Sequence, residues 1–367
     1  MDETKKATLY IVDDEPANIH LLIHALKEEY AVLAATSGEK LLEMMQSAAP
    51  LPDLILLDIM MPGMDGYAVC EQLKHDPVTR SIPVIFLSAL DGDAEHLRGL
   101  SQGCVDYITK PFHPEIVKAR VRNHIELKRY RDGLARMVER RTTELLVTQE
   151  VTIHALATLA ETRDPDTGGH IQRTKNYVHA LAQRLQHHPR FVGILSDEYL
   201  QLLVKSAPLH DVGKVGIHDG ILNKPGKLTP AEFEEMKTHT TLGYGALMMA
   251  ARPLGENSFL SMAAEVAHTH HEKWNGSGYP QGLSGDAIPA SGRIMALADV
   301  YDALISKRAY KKPFTHSRAV SMIAEGKGLH FDPDIVDTFL ALQETFREIA
   351  IAFADFDEER VALASPA

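Results

Sequence analysis

Two cysteines, Cys70 and Cys104, are the only thiols in this chain, and they form no Cys-x-x-Cys pair. Their scarcity excludes a disulfide framework and a thiolate metal site, and it points to a cytoplasmic protein. No apolar stretch approaches the ~20 residues that span a bilayer. The opening segment MDETKK leads straight into a strand-like run rather than a signal-peptide core. Neither export nor membrane insertion is expected. Positive charge is also short: 38 Lys and Arg face 50 Asp and Glu, for a net charge of -12. Duplex DNA is bound through clustered cations, so unaided DNA binding is excluded and any phosphate ligand must meet a local cation.

What the chain has in quantity is histidine. Of its 19, six precede residue 125 and the other 13 follow it, so a metal site is to be sought in the second part. At ~150 residues per domain, 367 residues predict two domains.

Residues 7–125 alternate the strand-like runs ATLYIVD, YAVLAAT, DLILLD, PVIFLSA and CVDYITKP with amphipathic segments such as ANIHLLIHALKEE, GYAVCEQLKHD and AEHLRGLSQG. This alternation predicts a five-stranded parallel sheet joined by crossover helices, a doubly wound α/β layer. Residues 113–150 read as one long exposed helix with some coiled-coil character, which would serve a homodimer contact. Arg141 falls on its apolar stripe, so a solvated connector without a partner is an equal alternative. Beyond residue 150 the strand-like runs stop and helical periods take over, predicting an all-α domain. The expected organisation is an α/β domain at 1–125, a helical linker at 126–150, an all-α domain at 151–350 and a C-terminal tail at 351–367.

Asp13 and Asp14 end the first strand-like run, Asp58 the third and Ser88 the fourth, while Lys110 follows the fifth. Parallel sheets bind ligands at the carboxyl ends of their strands, so these five groups should converge. Clustered carboxylates suit Mg²⁺. One carboxylate can attack a phosphoryl group while the metal and the lysine neutralise the developing charge. A lone strand-end Asp is usually a turn former; five such groups together favour chemistry.

The segments YIVDDEPAN, LLDIMMPGMDGY, FLSA and DYITKPF resemble the receiver domain of two-component response regulators. The resemblance implies that Asp58 is the phosphoacceptor and that Asp14, Asp58 and the backbone oxygen of Met60 hold Mg²⁺, with Asp13 acting through water. It further implies that Ser88 and Lys110 contact phosphoryl oxygens and that Tyr107 is an aromatic switch. The phosphodonor would be a sensor histidine kinase or a small phosphodonor.

In the second part, His170 stands in DPDTGGH, His210 and Asp211 in LHDVGK, His239 in MKTHTTLGY, His270 and His271 in HTHHEKW, and Asp299 in ALADVYDAL. Imidazoles and carboxylates without Cys suit Fe, Mn, Ni or Zn better than Ca or Mg. The adjacent His–Asp pair sends two ligands from one segment, and its carboxylate can bridge two ions, so two or more metals are expected. His268 reads as a decoy on the face of His271, and the remaining histidines as ordinary surface or core residues.

LHDVGK together with HHEKWNGSGYP resembles the HD-GYP branch of the HD metal-dependent phosphohydrolases, whose members cleave the bacterial messenger cyclic di-GMP; the likeness runs from about residue 150 to 345. It implies that His170, His210, Asp211, His239, His270, His271 and Asp299 are metal ligands, with Asp211 bridging two ions, most readily Fe, Mn or Ni. A third ion would bind through a carboxylate four residues before His170, where this chain has Asp166 instead of the longer Glu, and it is left open. Asn275 replaces the usual Asp, and His218 a common Pro; neither removes a ligand.

Two cations close together can hold a bridging hydroxide and clamp the oxygens of an in-line displacement at phosphorus. Lys214, one turn past His210, is placed to protonate the leaving ribose oxygen. Arg308 and Lys311, in SKRAYKKPF, resemble the family's phosphate-binding pair. The GSGYP loop either positions His270 and His271 or docks a partner such as a diguanylate cyclase. The expected function is phosphorylation-regulated hydrolysis of cyclic di-GMP to pGpG, and onward to GMP. Two alternatives stay open: a phosphodiesterase preferring pGpG or another nucleotide, and a non-catalytic nucleotide-binding adaptor.

Overall fold

Five short apolar runs form β1 (Thr8–Val12), β2 (Ala31–Ala35), β3 (Leu54–Asp58), β4 (Val84–Ser88) and β5 (Asp106–Thr109), one parallel sheet in the order β2-β1-β3-β4-β5. The structure is a computed structural model and describes residues 6–47, 50–89, 102–161, 169–255, 258–307 and 312–364. Strands β1, β3 and β4 are buried along their whole length, as expected where helices cover both faces of a sheet.

Side-chain alternation divides the two cores. Leu9 and Ile11 pack with Ile19, Leu22 and Leu26 of α1 (Pro16–Leu26). Tyr10 and Val12 pack on the other face with Leu41 of α2 (Gly38–Gln46) and with Val69 and Leu73 of α3 (Gly66–His75). Pro16 opens α1, while Ser37 and Asp65 cap α2 and α3 by accepting the Lys40 and Ala68 N–H groups. The amphipathic segment AEHLRGLSQG lies almost entirely outside the described residues.

The expected connecting helix is α4 (Pro114–Glu161), 48 residues long. Its first turns bury Val117, Val121 and Ile125 in the α/β core. The chain divides into two compact units between Thr143 and Glu144, inside this helix.

The second unit is helical: α5 (Gly169–Leu185), α6 (Asp197–Ser206), α7 (Asp219–Leu222), α8 (Pro230–Lys237), α9 (His239–Ala251), α10 (Phe259–Thr269), α11 (Ala290–Ile305), α12 (His316–Glu325), α13 (Pro333–Ala341), α14 (Gln343–Ala352) and α15 (Asp357–Ala364). Helix α11 is buried nearly all round and so runs through the middle of the unit. Around it, Tyr177 stacks on Phe346 at 4.5 Å and meets Tyr301 edge-on at 5.3 Å.

The segment expected as a tail at 351–367 is folded over most of its length. Leu363 of α15 joins the core, and the buried Glu359 carboxylate accepts the backbone N–H groups of Lys307 (2.8 Å) and Asp355 (3.0 Å). Its run of charges, FDEER, reads as solvated because those partners are distant in sequence or in the backbone.

Candidate functional site

At the carboxyl end of the sheet, Asp13, Asp14 and Asp58 present oxygens within 4.8 Å of one another. Strand order reverses between β1 and β3, so the β1 and β3 termini flank the crevice where such folds bind ligands. Lys110 Nζ lies 2.7 Å from Asp58 Oδ2 and 2.9 Å from Asp13 Oδ2. Asp13 is fixed by accepting the Glu15 N–H (2.9 Å) and the Asn18 amide (3.0 Å). Burial pushes the Asp58 carboxyl above its ordinary value, against the pull of the Lys110 ammonium. The Met60 N–H reaches Asp58 Oδ1 at 3.4 Å. Ser88 is buried at the end of β4, and its carbonyl accepts the Lys110 N–H at 2.8 Å. Tyr107 stands on β5 with its ring 5.9 Å from that of Phe86.

The histidines of the helical unit converge as well. His170 is at the start of α5, His210 and Asp211 lie between two 3₁₀ turns (Ala207–Leu209 and Val212–Gly216), His239 opens α9, His270 and His271 follow α10, and Asp299 is on α11. They form two groups, one of His170, His210 and Asp299 and the other of Asp211, His239, His270 and His271, each with ligand atoms within 4.8 Å of one another. Asp211 joins the two: its Oδ2 is 3.4 Å from His210 Nε2, and its Oδ1 is 3.3 Å from His239 Nε2 and 3.5 Å from His270 Nε2. Glycine permits this approach, because a Cβ on Gly213 would overlap the His239 carbonyl.

Hydrogen bonds on the far side of four of the five rings fix their tautomers. The Nδ1–H groups of His210, His239 and His270 donate to the carbonyls of Ala207 (2.9 Å), Met236 (2.7 Å) and Val266 (3.1 Å), and that of His170 donates to Asp302 Oδ2 (2.8 Å). The Nε2 atoms of these four rings are thereby turned inward. His170 Nε2 and His210 Nε2 face each other at 3.4 Å, an arrangement that repels unless a proton or metal ion lies between them. Asp211 Oδ1, His239 Nε2 and His270 Nε2 are buried with no hydrogen-bond partner among the described residues. Burial, reinforced by neighbouring imidazoles, holds His271 far below its ordinary value and therefore neutral. For His170, burial is outweighed by Asp302, Glu161 and Asp299, which lift it to about 9. Inward lone pairs, orphaned acceptors and a demand for positive charge fit a divalent metal centre.

Lys214 reaches the cluster by a 3₁₀ turn rather than the expected α-helical one, and its Nζ pairs with Asp211 Oδ2 at 2.8 Å. His268 stacks on Tyr244 at 4.3 Å. In the GSGYP loop the Tyr279 ring lies 4.8 Å from that of His271. Asp166, Arg308 and Lys311 lie outside the described residues.

Four residues that matter here were not singled out in the sequence. Glu161, the last residue of α4, brings Oε1 to 3.9 Å from His170 Nε2. Asp302 anchors His170 and is itself held by the buried Arg173, at 2.7 Å to Nε and 3.0 Å to Nη2. Glu272, within the HHE run, accepts the N–H groups of Gln281, Gly282 and Leu283 at 2.7, 3.1 and 3.0 Å, which ties the GSGYP loop beneath the histidine pair. A signal existed for Glu272, directly after His271, and for Asp302, one turn after Asp299.

Residues 9–122 match the response regulator receiver domain and residues 154–335 match the HD domain. A probable cyclic di-GMP phosphodiesterase of Vibrio cholerae is 46% identical over 371 residues, covering 99% of this chain and 84% of that protein. A second Vibrio cholerae protein, a cyclic di-GMP phosphodiesterase, is 56% identical over 218 residues, which are 59% of this chain and 44% of that one. The cyclic di-GMP phosphodiesterase response regulator RpfG of Xanthomonas campestris is 34% identical over 354 residues, with 94% and 90% covered.

Proposed function

This chain belongs to the response regulators that join a receiver domain to an HD domain, and from that membership we propose that it is a phosphorylation-controlled cyclic di-GMP phosphodiesterase that opens the cyclic dinucleotide to pGpG. The observation that carries this reading is the paired ligand groups joined by Asp211, with His170 Nε2 and His210 Nε2 turned toward each other at 3.4 Å.

One ion position comprises His170, His210 and Asp299, the other His239, His270 and His271, with Asp211 shared; the nitrogen and oxygen donors suit Fe, Mn or Ni. Divalent ions bound there supply a water acidic enough to be nucleophilic at neutral pH, and positive charge for the phosphoryl oxygens. The chain's own groups do the rest. The Nδ1 hydrogen bonds hold the imidazoles oriented before substrate arrives, and Asp302 does this for His170. Lys214, partly exposed at the edge of the cluster, holds the proton taken by the leaving ribose oxygen. Arg308 and Lys311 supply the cations that an acidic protein needs for the second phosphate.

In the receiver, Asp58 accepts the phosphoryl group from a histidine kinase. Asp14, Asp58 and the Met60 carbonyl hold Mg²⁺, Asp13 acts through water, and Ser88 and Lys110 bind the phosphoryl oxygens. Phosphorylation replaces the Asp58–Lys110 ion pair with a more highly charged group and shifts the receiver equilibrium, which Tyr107 reports. The test is product analysis with metal-loaded protein given cyclic di-GMP and, in parallel, pGpG. Release of pGpG from the cyclic substrate supports the reading; turnover of pGpG alone replaces it with the linear-dinucleotide alternative.

A further inference from the structure

Glu161 is the last residue of α4, the helix that leaves the receiver, and its carboxylate enters the metal cluster of the helical unit. Its side chain is 11% exposed, Oε1 lies 3.9 Å from His170 Nε2, and Oε2 is buried with no hydrogen-bond partner among the described residues. A carboxylate withdrawn from water is strongly disfavoured unless donors or a cation compensate it. Lys214, the nearby lysine, is engaged by Asp211 at 2.8 Å.

The distance between Glu161 and His170 matches a shared ion. Two ligands each ~2.1 Å from one metal can stand no more than ~4.2 Å apart. Asp299 Oδ1 is 3.9 Å from both His170 Nε2 and His210 Nε2, and Glu161 Oε1 is at the same 3.9 Å from His170 Nε2.

We propose that Glu161 is a metal ligand, its carboxylate sharing with His170 an ion on that side of the cluster. This assignment rests on reading the cluster as a two-metal centre. It gives the last turn of the connecting helix a direct part in that centre, separate from the third ion that the family resemblance ties to Asp166.

The full-length chain, stripped of metal, is titrated with Mn²⁺ while free Mn²⁺ is followed by electron paramagnetic resonance, in the wild type, E161Q, E161A, E161D and D166N. The wild type should bind two ions tightly. E161Q and E161A should keep the melting temperature of the metal-free wild type and bind one ion normally, with the second weakened at least ~10–100-fold; E161D should recover part of that loss. The proposal is overturned if E161Q and E161A bind both ions as the wild type does, or if D166N alone loses the second. It is also overturned if E161D loses the second ion together with E161Q and both melt lower without metal, which marks a packing role. If the wild type binds no ion, it is the two-metal reading that fails.

Discussion

His170 donates its Nδ1 proton to Asp302 Oδ2 across 2.8 Å, and the same carboxylate accepts Arg173 Nε at 2.7 Å. The pair turns one imidazole toward the metal cluster and keeps it there. Burial opposes the charged form of Asp302, but Arg173 and His170 outweigh it and hold the carboxyl well below its usual range.

Asp302→Asn should therefore weaken metal binding at His170 by ~10–100-fold, measured by calorimetric metal titration. Arg173→Met strands the buried Asp302 charge and should cost about 3–5 kcal/mol in urea unfolding. Because the folded-state value is depressed, the Asp302 contribution is complete above its unfolded value of about 3.9 and is lost only as pH falls below it.

Glu272→Ala should leave the N–H donors of Gln281, Gly282 and Leu283, directly after the GSGYP loop, without their part-buried acceptor. The expected loss is about 1–3 kcal/mol of stability, read by thermal unfolding, with a fall in turnover because the Tyr279 N–H, 3.2 Å from the His271 carbonyl, rides on the same loop. The loop is tightly packed where it passes under the histidines: a Cβ on Gly278 would overlap the Glu272 and Lys273 backbone.

Lys214→Ala should lower kcat by ~10²–10⁴ if the ammonium protonates the leaving group, with metal content unchanged by elemental analysis. Loss of metal along with activity would instead assign Lys214 to holding Asp211.

The receiver pocket was legible because each of its groups ends or follows a strand, and a parallel sheet gathers such ends by construction. The gathering of the seven expected ligands was legible because adjacent pairs such as His210–Asp211 and His270–His271 stand out. Glu161 was not: in LAETRD at the end of a charged helix it looks like one more solvated carboxylate, and only the fold brings it to His170. Arg173 was hidden in the same way, since its partners Asp302 and Asp355 are 129 and 182 residues away. The α15 segment reads as a polar tail because its single buried acid, Glu359, is satisfied by backbone donors that no side-chain pattern reveals.

Stability should also fall between pH 6.5 and about 4 through His330, whose imidazole burial pushes down to about 4. In that window the unfolded chain takes up a proton that the folded chain refuses, so unfolding gains with acid. His330→Gln should flatten this part of a urea-midpoint against pH curve; an unchanged slope would contradict it.

The most direct test of the central claim is chromatographic analysis of the product formed from cyclic di-GMP by the metal-loaded wild type and by Asp211→Ala, which removes the carboxylate joining the two ligand groups. The account predicts linear pGpG from the wild type and essentially none from Asp211→Ala. Full turnover by Asp211→Ala, or no product from a wild type shown to hold its metals, would contradict it.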